Sequence, residues 1–474
     1  MLSLCVKFSR IRREYHASVL FYPTKKLLFN GNAVWRDLCF KYKTYMNSKI
    51  ARWLTVVLVL TVATLSAQTY NIIYNFAHYS GGLNPQAGLV FSSNILYGTT
   101  SYGGNAYGTT FKVNTDGSGY SVLSISSTDV GAFNAGLILS GNILYGTTRS
   151  TIYKVNTDDT NFTMLAYLGS DLRGDLVLSG STLYVTSYSG GSSNKGMVFK
   201  INTDGQGSPT LHNFTNTPDG AGPQAGLVLE GNTLYGTTYN GGSSSNGVVF
   251  KINKDGTGYA ILYNFTNNPD GANPQAGLVL NGNTLYGTTR NGGSSGFGTV
   301  FAVNTDGIGY AVLKNFTNSP DGANPQAGLL LRGNTLYGTT YNGGSSGNGT
   351  VFEINTNGAG YAVLKSFLGY PNDGANPAAS LVLGSDGLYG TTYRDGTGGY
   401  GTIFRLTLAP PQLQVTTAGN MPVVFWQDDG FSRTLQTTTN LQSGKWITVS
   451  NGVPLIGLQV TNVSNQPKAF FRLQ

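Results

Sequence analysis

The sequence predicts an all-β fold: a seven-bladed β-propeller closed by its amino-terminal strand and followed by a small carboxy-terminal β-sandwich. Three observations predict it. The pentapeptide Leu-Tyr-Gly-Thr-Thr stands intact at Leu96, Leu144, Leu234, Leu285, Leu336 and Leu388, and as Leu-Tyr-Val-Thr-Ser at Leu183, at spacings of 48, 39, 51, 51, 51 and 52. A period near 50 residues marks stacked supersecondary units. Each unit carries four runs rich in β-branched and aromatic residues between Gly/Asn/Asp/Ser turns, the signature of a four-stranded meander. Finally, the repeat is split: the last unit stops after its third strand, and the missing fourth strand matches Tyr70–Phe76, near the other end.

The 474-residue chain is 12% aromatic, only 11% charged, and carries 66 glycines, a composition suited to all-β repeats. Its formal charge of +8 is concentrated at one end: residues 1–67 hold 11 Lys/Arg against 2 Asp/Glu, and the remainder nets −1. A nucleic-acid partner, which would need a basic face, is therefore not expected. Both cysteines, Cys5 and Cys39, precede residue 68, so the repeats can build neither a disulfide framework nor a thiolate metal site.

Residues 46–67 read as a signal peptide. Lys49 and Arg52 form the basic region, Trp53 to Leu65 the uncharged apolar run, and Leu65-Ser66-Ala67 a small-residue cleavage site before Gln68. The run is short for a membrane span. Met46 is the expected start, with 1–45 a dispensable leader.

Residues 274–324 serve as the type blade. Gly277-Leu-Val-Leu280, Thr284-Leu-Tyr-Gly-Thr-Thr289, Thr299-Val-Phe-Ala-Val303 and Tyr310-Ala-Val-Leu-Lys-Asn-Phe316 are its strands, with turns at Asn281-Gly282 and Asp306-Gly307. Gly supplies the positive φ of such turns. One meander cannot bury its faces alone, and seven arranged radially fall within the usual four to eight blades. An open solenoid would leave sheet edges unpaired and would not explain the split repeat. With the Ala-Gly-Leu strand innermost, Gly88, Gly136, Gly174, Gly226, Gly277 and Gly328, with Ser380 in the last blade, should crowd the axis. The Asn-Gly-Gly-Ser loops and the Pro-Asp-Gly linkers should share one face, and the short turns the other.

These Ala-Gly-Leu, Leu-Tyr-Gly-Thr-Thr, Asn-Gly-Gly and Gly-Thr-Val-Phe motifs resemble the GloVer tandem repeat family of exported bacterial proteins, over about residues 71–408. The resemblance implies export and attachment by varied carboxy-terminal devices, and no activity. The sequence departs from the pattern in having no hydrophobic span after residue 409. The doubled glycine also looks like kelch repeats, but tryptophan is absent from these repeats.

Chemistry is sparsely provided. Beyond residue 67 there are two histidines, His78 and His212, and two glutamates, Glu230 and Glu353, at non-equivalent positions. No nucleophile motif, zinc spacing or phosphate loop occurs. No catalytic residue, metal or cofactor is expected, and the enzyme reading is the minority one. The linker aspartates Asp219, Asp270, Asp321 and Asp373 recur once per blade, too sparse a set for Ca²⁺, and are read as turn residues. The same holds for Asp116, Asp158, Asp204, Asp255 and Asp306.

The residue after each pentapeptide is more suggestive. Arg149, Tyr188, Tyr239, Arg290, Tyr341 and Tyr393, with Ser101 in the first blade, should ring one face of the disc. Tyr and Arg are favoured binding anchors. Two functions follow: an exported binding or adhesion propeller for glycans or envelope proteins, or a purely structural envelope protein in which the ring covers neighbouring blades. A secreted polysaccharide-active enzyme is a third reading. A monomer without a transmembrane span in the mature chain is expected, at the cell surface, in the medium or in the periplasm.

Pro410-Pro411 ends the repeats. Residues 412–474 show six short strands, at Gln412–Val415, Pro422–Trp426, Thr434–Thr437, Trp446–Val449, Leu458–Thr461 and Ala469–Leu473, with Trp426 and Trp446 as core candidates. A small sandwich serving sorting or attachment fits them.

Overall fold

The computed structural model describes residues 68–104, 107–125, 133 and 135–408, together with strand backbone at 2–11, 14–23, 414–418, 421–425, 435–438, 447–448 and 470–473. The signal-peptide segment 46–67, Trp426, Trp446 and 458–461 lie outside the described residues. The chain divides into two units, 1–62 and 63–474. In the first, Leu2–Ile11 and Glu14–Pro23 pair as an antiparallel hairpin. No helix among the described residues is long and apolar enough to cross a membrane.

The second unit contains seven four-stranded antiparallel sheets. Blade 4 is typical: Val228–Glu230, Thr233–Thr238, Val248–Asn253 and Ala260–Asn264 pair in sequence order. A bulge between Val249 and Phe250 skews the outer strand and recurs at the same place in every blade. Blade 7 is assembled from both ends of the repeat region. Val382–Leu383, Leu388–Thr392 and Thr402–Leu406 are completed by Tyr70–Asn75, in the register Tyr70↔Leu406, Asn71↔Arg405, Ile72↔Phe404 and Asn75↔Thr402.

Apolar side chains are buried between blades. Tyr235, Val249, Leu262 and Phe265 of blade 4 pack against Leu278, Leu285, Phe301 and Val303 of blade 5. Seven such clusters fill seven interfaces. The last joins Phe76, Tyr389 and Ile403 of blade 7 to Leu89, Leu96, Phe111 and Val113 of blade 1. The ring is closed.

The pentapeptide is explained residue by residue in blade 4. Leu234 is fully buried, and Tyr235 enters the next interface. Gly236 lies opposite Phe250, where a Cβ would stand 2.6 Å from the Phe250 ring and 2.7 Å from Leu227. Thr237 Oγ1 donates to Ala276 O of the next blade at 3.4 Å. Thr238 Oγ1 closes the following loop by donating to Asn240 O at 2.9 Å.

The linker aspartates are turn residues, as expected, and also the centre of an inter-blade clip. Asp270 accepts from Thr266 N at 3.1 Å, Thr266 Oγ1 at 2.8 Å and Tyr263 OH at 2.6 Å. Tyr263 stacks on Tyr310 of the following blade at 3.6 Å, and the Tyr310 hydroxyl donates to the Asp270 carbonyl at 2.5 Å. His212 takes the place of Tyr263 one blade earlier, stacked on Tyr259 at 3.8 Å and 3.0 Å from Asp219. Lys314 and Lys365 fill it later, over Tyr361 at 4.3 Å and Tyr70 at 4.1 Å. His212 is thus a packed interface residue. On the other face, the turn aspartates make local turns: Ser118 N donates to Asp116 at 2.9 Å and Thr257 N to Asp255 at 2.9 Å. Lysines there tie blade to blade, Lys112 Nζ donating to Thr157 O at 3.0 Å and Lys200 Nζ to Lys254 O at 3.1 Å.

In the carboxy-terminal segment Gln414–Ala418 pairs with Met421–Phe425, and Leu435–Thr438 lies between Ile447–Thr448 and Phe470–Leu473. Five of the six expected strands are present among the described residues.

Candidate functional site

Four blades enter their innermost strand through Gln-Ala-Gly, at Gln86, Gln224, Gln275 and Gln326, and these entrances, with 173–175 and 378–380, line an axial funnel with a cavity of about 340 Å³. The glycines belong there for a steric reason: the Cα of Gly277 lies so near the next strand that a Cβ would meet Gly226 O at 3.4 Å, and one on Gly328 would meet Gly277 O at 3.4 Å and Ser380 Oγ at 3.0 Å. Ser380 holds the position in blade 7, as expected. In blade 3 the expectation fails. Gly174 stands at the alanine position, beside Thr186 and Ala225 O, and the axial place belongs to Asp175. Counting back from Leu176, which aligns with Leu227, would have found it: the segment reads Arg173-Gly174-Asp175 where blades 1, 4, 5 and 6 read Gln-Ala-Gly.

Gln86, Gln224, Gln275 and Gln326 line the funnel wall, with Arg173 in blade 3 and Ala378 in blade 7. Of the predicted ring, Arg149 lines this cavity, and Tyr188, Arg290 and Tyr393 stand beside its lining residues. Ser101 Oγ accepts from Gln86 Nε2 at 3.2 Å, Arg290 Nη1 donates to Gln275 Oε1 at 3.5 Å, and Arg173 lies over the Tyr188 ring at 4.1 Å. Tyr393 neighbours Gln86, Tyr102 and Tyr341, and burial pushes its hydroxyl pKa up, helped by those two tyrosines. Tyr188, Tyr239, Arg290, Tyr341 and Tyr393 are half-buried and Arg149 is exposed. Tyr188 also lies against the Gly222 backbone of the next blade, so it covers its neighbour and stands beside the funnel at once.

The funnel is uneven. On the blade 2–blade 3 side, Asp171 receives Arg173 Nε at 2.9 Å and Nη2 at 2.7 Å on Oδ2, and faces Arg149 Nε at 3.3 Å through Oδ1. Asp175, deeper on the axis, is exposed and accepts Gly136 N–H at 2.5 Å. Enclosure by the inner strands raises its carboxyl pKa, the Gly136 bond opposing this. Tyr79, Tyr102, Tyr370 and Tyr400, in loops of blades 1, 6 and 7, are exposed. Among the described residues no group of three or more His, Cys, Asp or Glu could hold a metal ion.

Fold and site together define a seven-bladed β-propeller built from tandem repeats around a polar axial funnel. The chain belongs to the Gloeobacter/Verrucomicrobia repeat family, which it matches at residues 59–247, 148–279 and 242–440. No curated protein matches it. Among solved structures it is similar to the extracellular domain of a hybrid two-component system from B. thetaiotaomicron, at 12% identity and TM-score 0.51, over 76% of this chain and 45% of that one. It is also similar to oligogalacturonate lyase from Vibrio parahaemolyticus, at 10% identity and TM-score 0.45, over 73% and 95%. A chain of the nidogen/laminin complex follows at 17% identity and TM-score 0.36, over 53% and 84%. At these identities the likenesses concern the fold alone.

Proposed function

We propose that the protein is an exported, non-enzymatic β-propeller that binds saccharide chains at the mouth of its axial funnel. One observation carries this reading: amide side chains from four blades line a polar cavity, and Tyr188 and Tyr393 stand beside its lining residues, at Arg173 and Gln86. Amides pair with sugar hydroxyls, and tyrosine rings offer flat apolar faces with a polar edge. The signal-peptide pattern at 46–67 and the family resemblance support export. A hydrolytic role would need a second free carboxyl near Asp175. Asp171, its neighbour in blade 3, is engaged by two arginines, which supports binding without turnover.

A glycan array probed with the full chain tests this. Binding to at least one saccharide class is expected, with the Tyr239→Ala/Tyr341→Ala double variant weakened about tenfold, consistent with aromatic anchors at a binding surface. Binding to no saccharide would refute the reading and favour a purely structural role; release of new chain ends from a bound polysaccharide would favour an enzyme.

A further inference from the structure

The repeat departs from its own pattern four times between residues 148 and 175, and all four departures meet at one corner of the funnel. Blade 2 joins its second and third strands through only Thr148-Arg149-Ser150, where blade 4 uses residues 239–247. This shortening removes one Asn-Gly-Gly-Ser loop from the rim and leaves a notch, at which the Arg149 side chain is 64% exposed. In blade 3, Asp171 stands where Asn273 and Asn324 bond to the backbone of the preceding blade's rim residue, and its carboxylate instead meets the Arg149 side chain. Arg173 replaces the funnel glutamine and Asp175 the axial glycine.

The charges in this corner are unequally matched. Two guanidinium groups share the single carboxylate of Asp171. Among the described residues neither Nη1 of Arg173 nor either Nη of Arg149 has a hydrogen-bond partner. Tyr188 fixes the Arg173 plane by stacking at 4.1 Å, so its remaining donors are held in one orientation. Asp175 lies below, on the axis, its carboxylate held by the Gly136 N–H. A planar anion entering through the notch would meet the oriented Arg173 guanidinium and the exposed Arg149 one, groups that recognise carboxylates in bidentate fashion.

We propose that this notch is the subsite for the carboxylate of a uronic-acid polysaccharide, with Arg149 and Arg173 as its clamp and the glutamine ring beyond it reading the sugar hydroxyls. The assignment rests on the saccharide-binding reading and narrows it to acidic chains.

The test uses the full chain in calorimetric titrations with alginate (carboxylate), dextran sulfate (sulfate) and dextran (neutral). Alginate is expected to bind best and to weaken with added salt, as an ionic contact should. Arg149→Gln, at an exposed side chain whose loss leaves the fold intact, should weaken alginate about tenfold, as should Arg173→Lys, which keeps the charge and loses the fork. Lys254→Gln, on the opposite face, should change nothing. Alginate affinity unchanged in the Arg149→Gln/Arg173→Lys double variant would overturn the clamp. Dextran bound as tightly as alginate would overturn the preference for acid while leaving the saccharide reading intact. Dextran sulfate bound in preference to alginate would replace carboxylate by sulfate and overturn the proposal as stated. Binding of none of the three would remove both the clamp and the reading it rests on.

Discussion

Replacing Asp321 by alanine separates a plain turn residue from the centre of an inter-blade clip. Asp321 is 7% exposed. Its Oδ1 accepts from Thr317 N at 3.0 Å and Thr317 Oγ1 at 2.7 Å, and its Oδ2 meets Lys314 Nζ. Hydrogen bonds to a charged group contribute about 1.5–3 kcal/mol each, and a part-exposed ion pair about 1 kcal/mol at most. Asp321→Ala should therefore destabilise by about 3–5 kcal/mol, and Asp321→Asn, which keeps the Thr317 acceptor, by about 1 kcal/mol. For a propeller of this size the alanine variant should lose about 4–7 °C in Tm, read by calorimetry on the full chain. The gap should close in acid. Desolvation pushes the Asp321 carboxyl up, but the Lys314 and Thr317 bonds outweigh it and hold the pKa below its ordinary value. A depressed carboxylate stabilises above its unfolded pKa, and that stability is lost as pH falls through the folded value. The wild-type advantage should thus shrink below about pH 4. An alanine variant melting within about 1 °C of wild type would refute the clip and return Asp321 to the role of a simple turn.

Two further predictions concern the same interfaces. Phe76 and Phe316 hold equivalent places in blades 7 and 5 and are 1% and 0% exposed, so alanine at either should cost about 3–5 kcal/mol; a urea titration in which only Phe316→Ala is destabilising would exclude the closing strand. Burial lowers the His212 pKa, with Asp219 opposing, so the unfolded chain takes up its proton first and stability should fall as pH drops below about 6.5. His212→Tyr, copying Tyr263, should flatten that component when urea midpoints at pH 7.5 and 5.5 are compared, and an unchanged slope would contradict the assignment.

The architecture was legible because each blade repeats the same local demands. Leu, Gly and the two Thr of the pentapeptide each meet one recurrent requirement, a core, a neighbouring Phe ring, an adjacent carbonyl and a loop, so their recurrence alone marks strand and register. The split repeat likewise revealed which strand completes blade 7. The clip was hidden, because His212, Tyr263, Lys314 and Lys365 differ in chemistry and their stacking partners lie in the next blade. Aligning blade 3 by its glycine placed Gly174 on the axis and concealed Asp175. The funnel corner escaped for a related reason: Arg149, Asp171, Arg173 and Asp175 are where the repeat breaks, and a reading built on regularity passes over the positions released from it. Of the predicted ring, only Arg149 lines the funnel cavity itself. The alternative reading, in which the ring covers neighbouring blades, agrees with the half-burial of its tyrosines.

The account depends on the Tyr70–Asn75 strand completing the seventh blade. Hydrogen exchange of the full chain, followed by mass spectrometry, measures this directly. Amides of Tyr70–Asn75 that bond to Thr402–Leu406 should exchange as slowly as those of the equivalent outer strand Ala260–Asn264. Exchange of 70–75 at the rate of an unstructured peptide, with 260–264 still protected, would contradict the closed ring and with it the funnel.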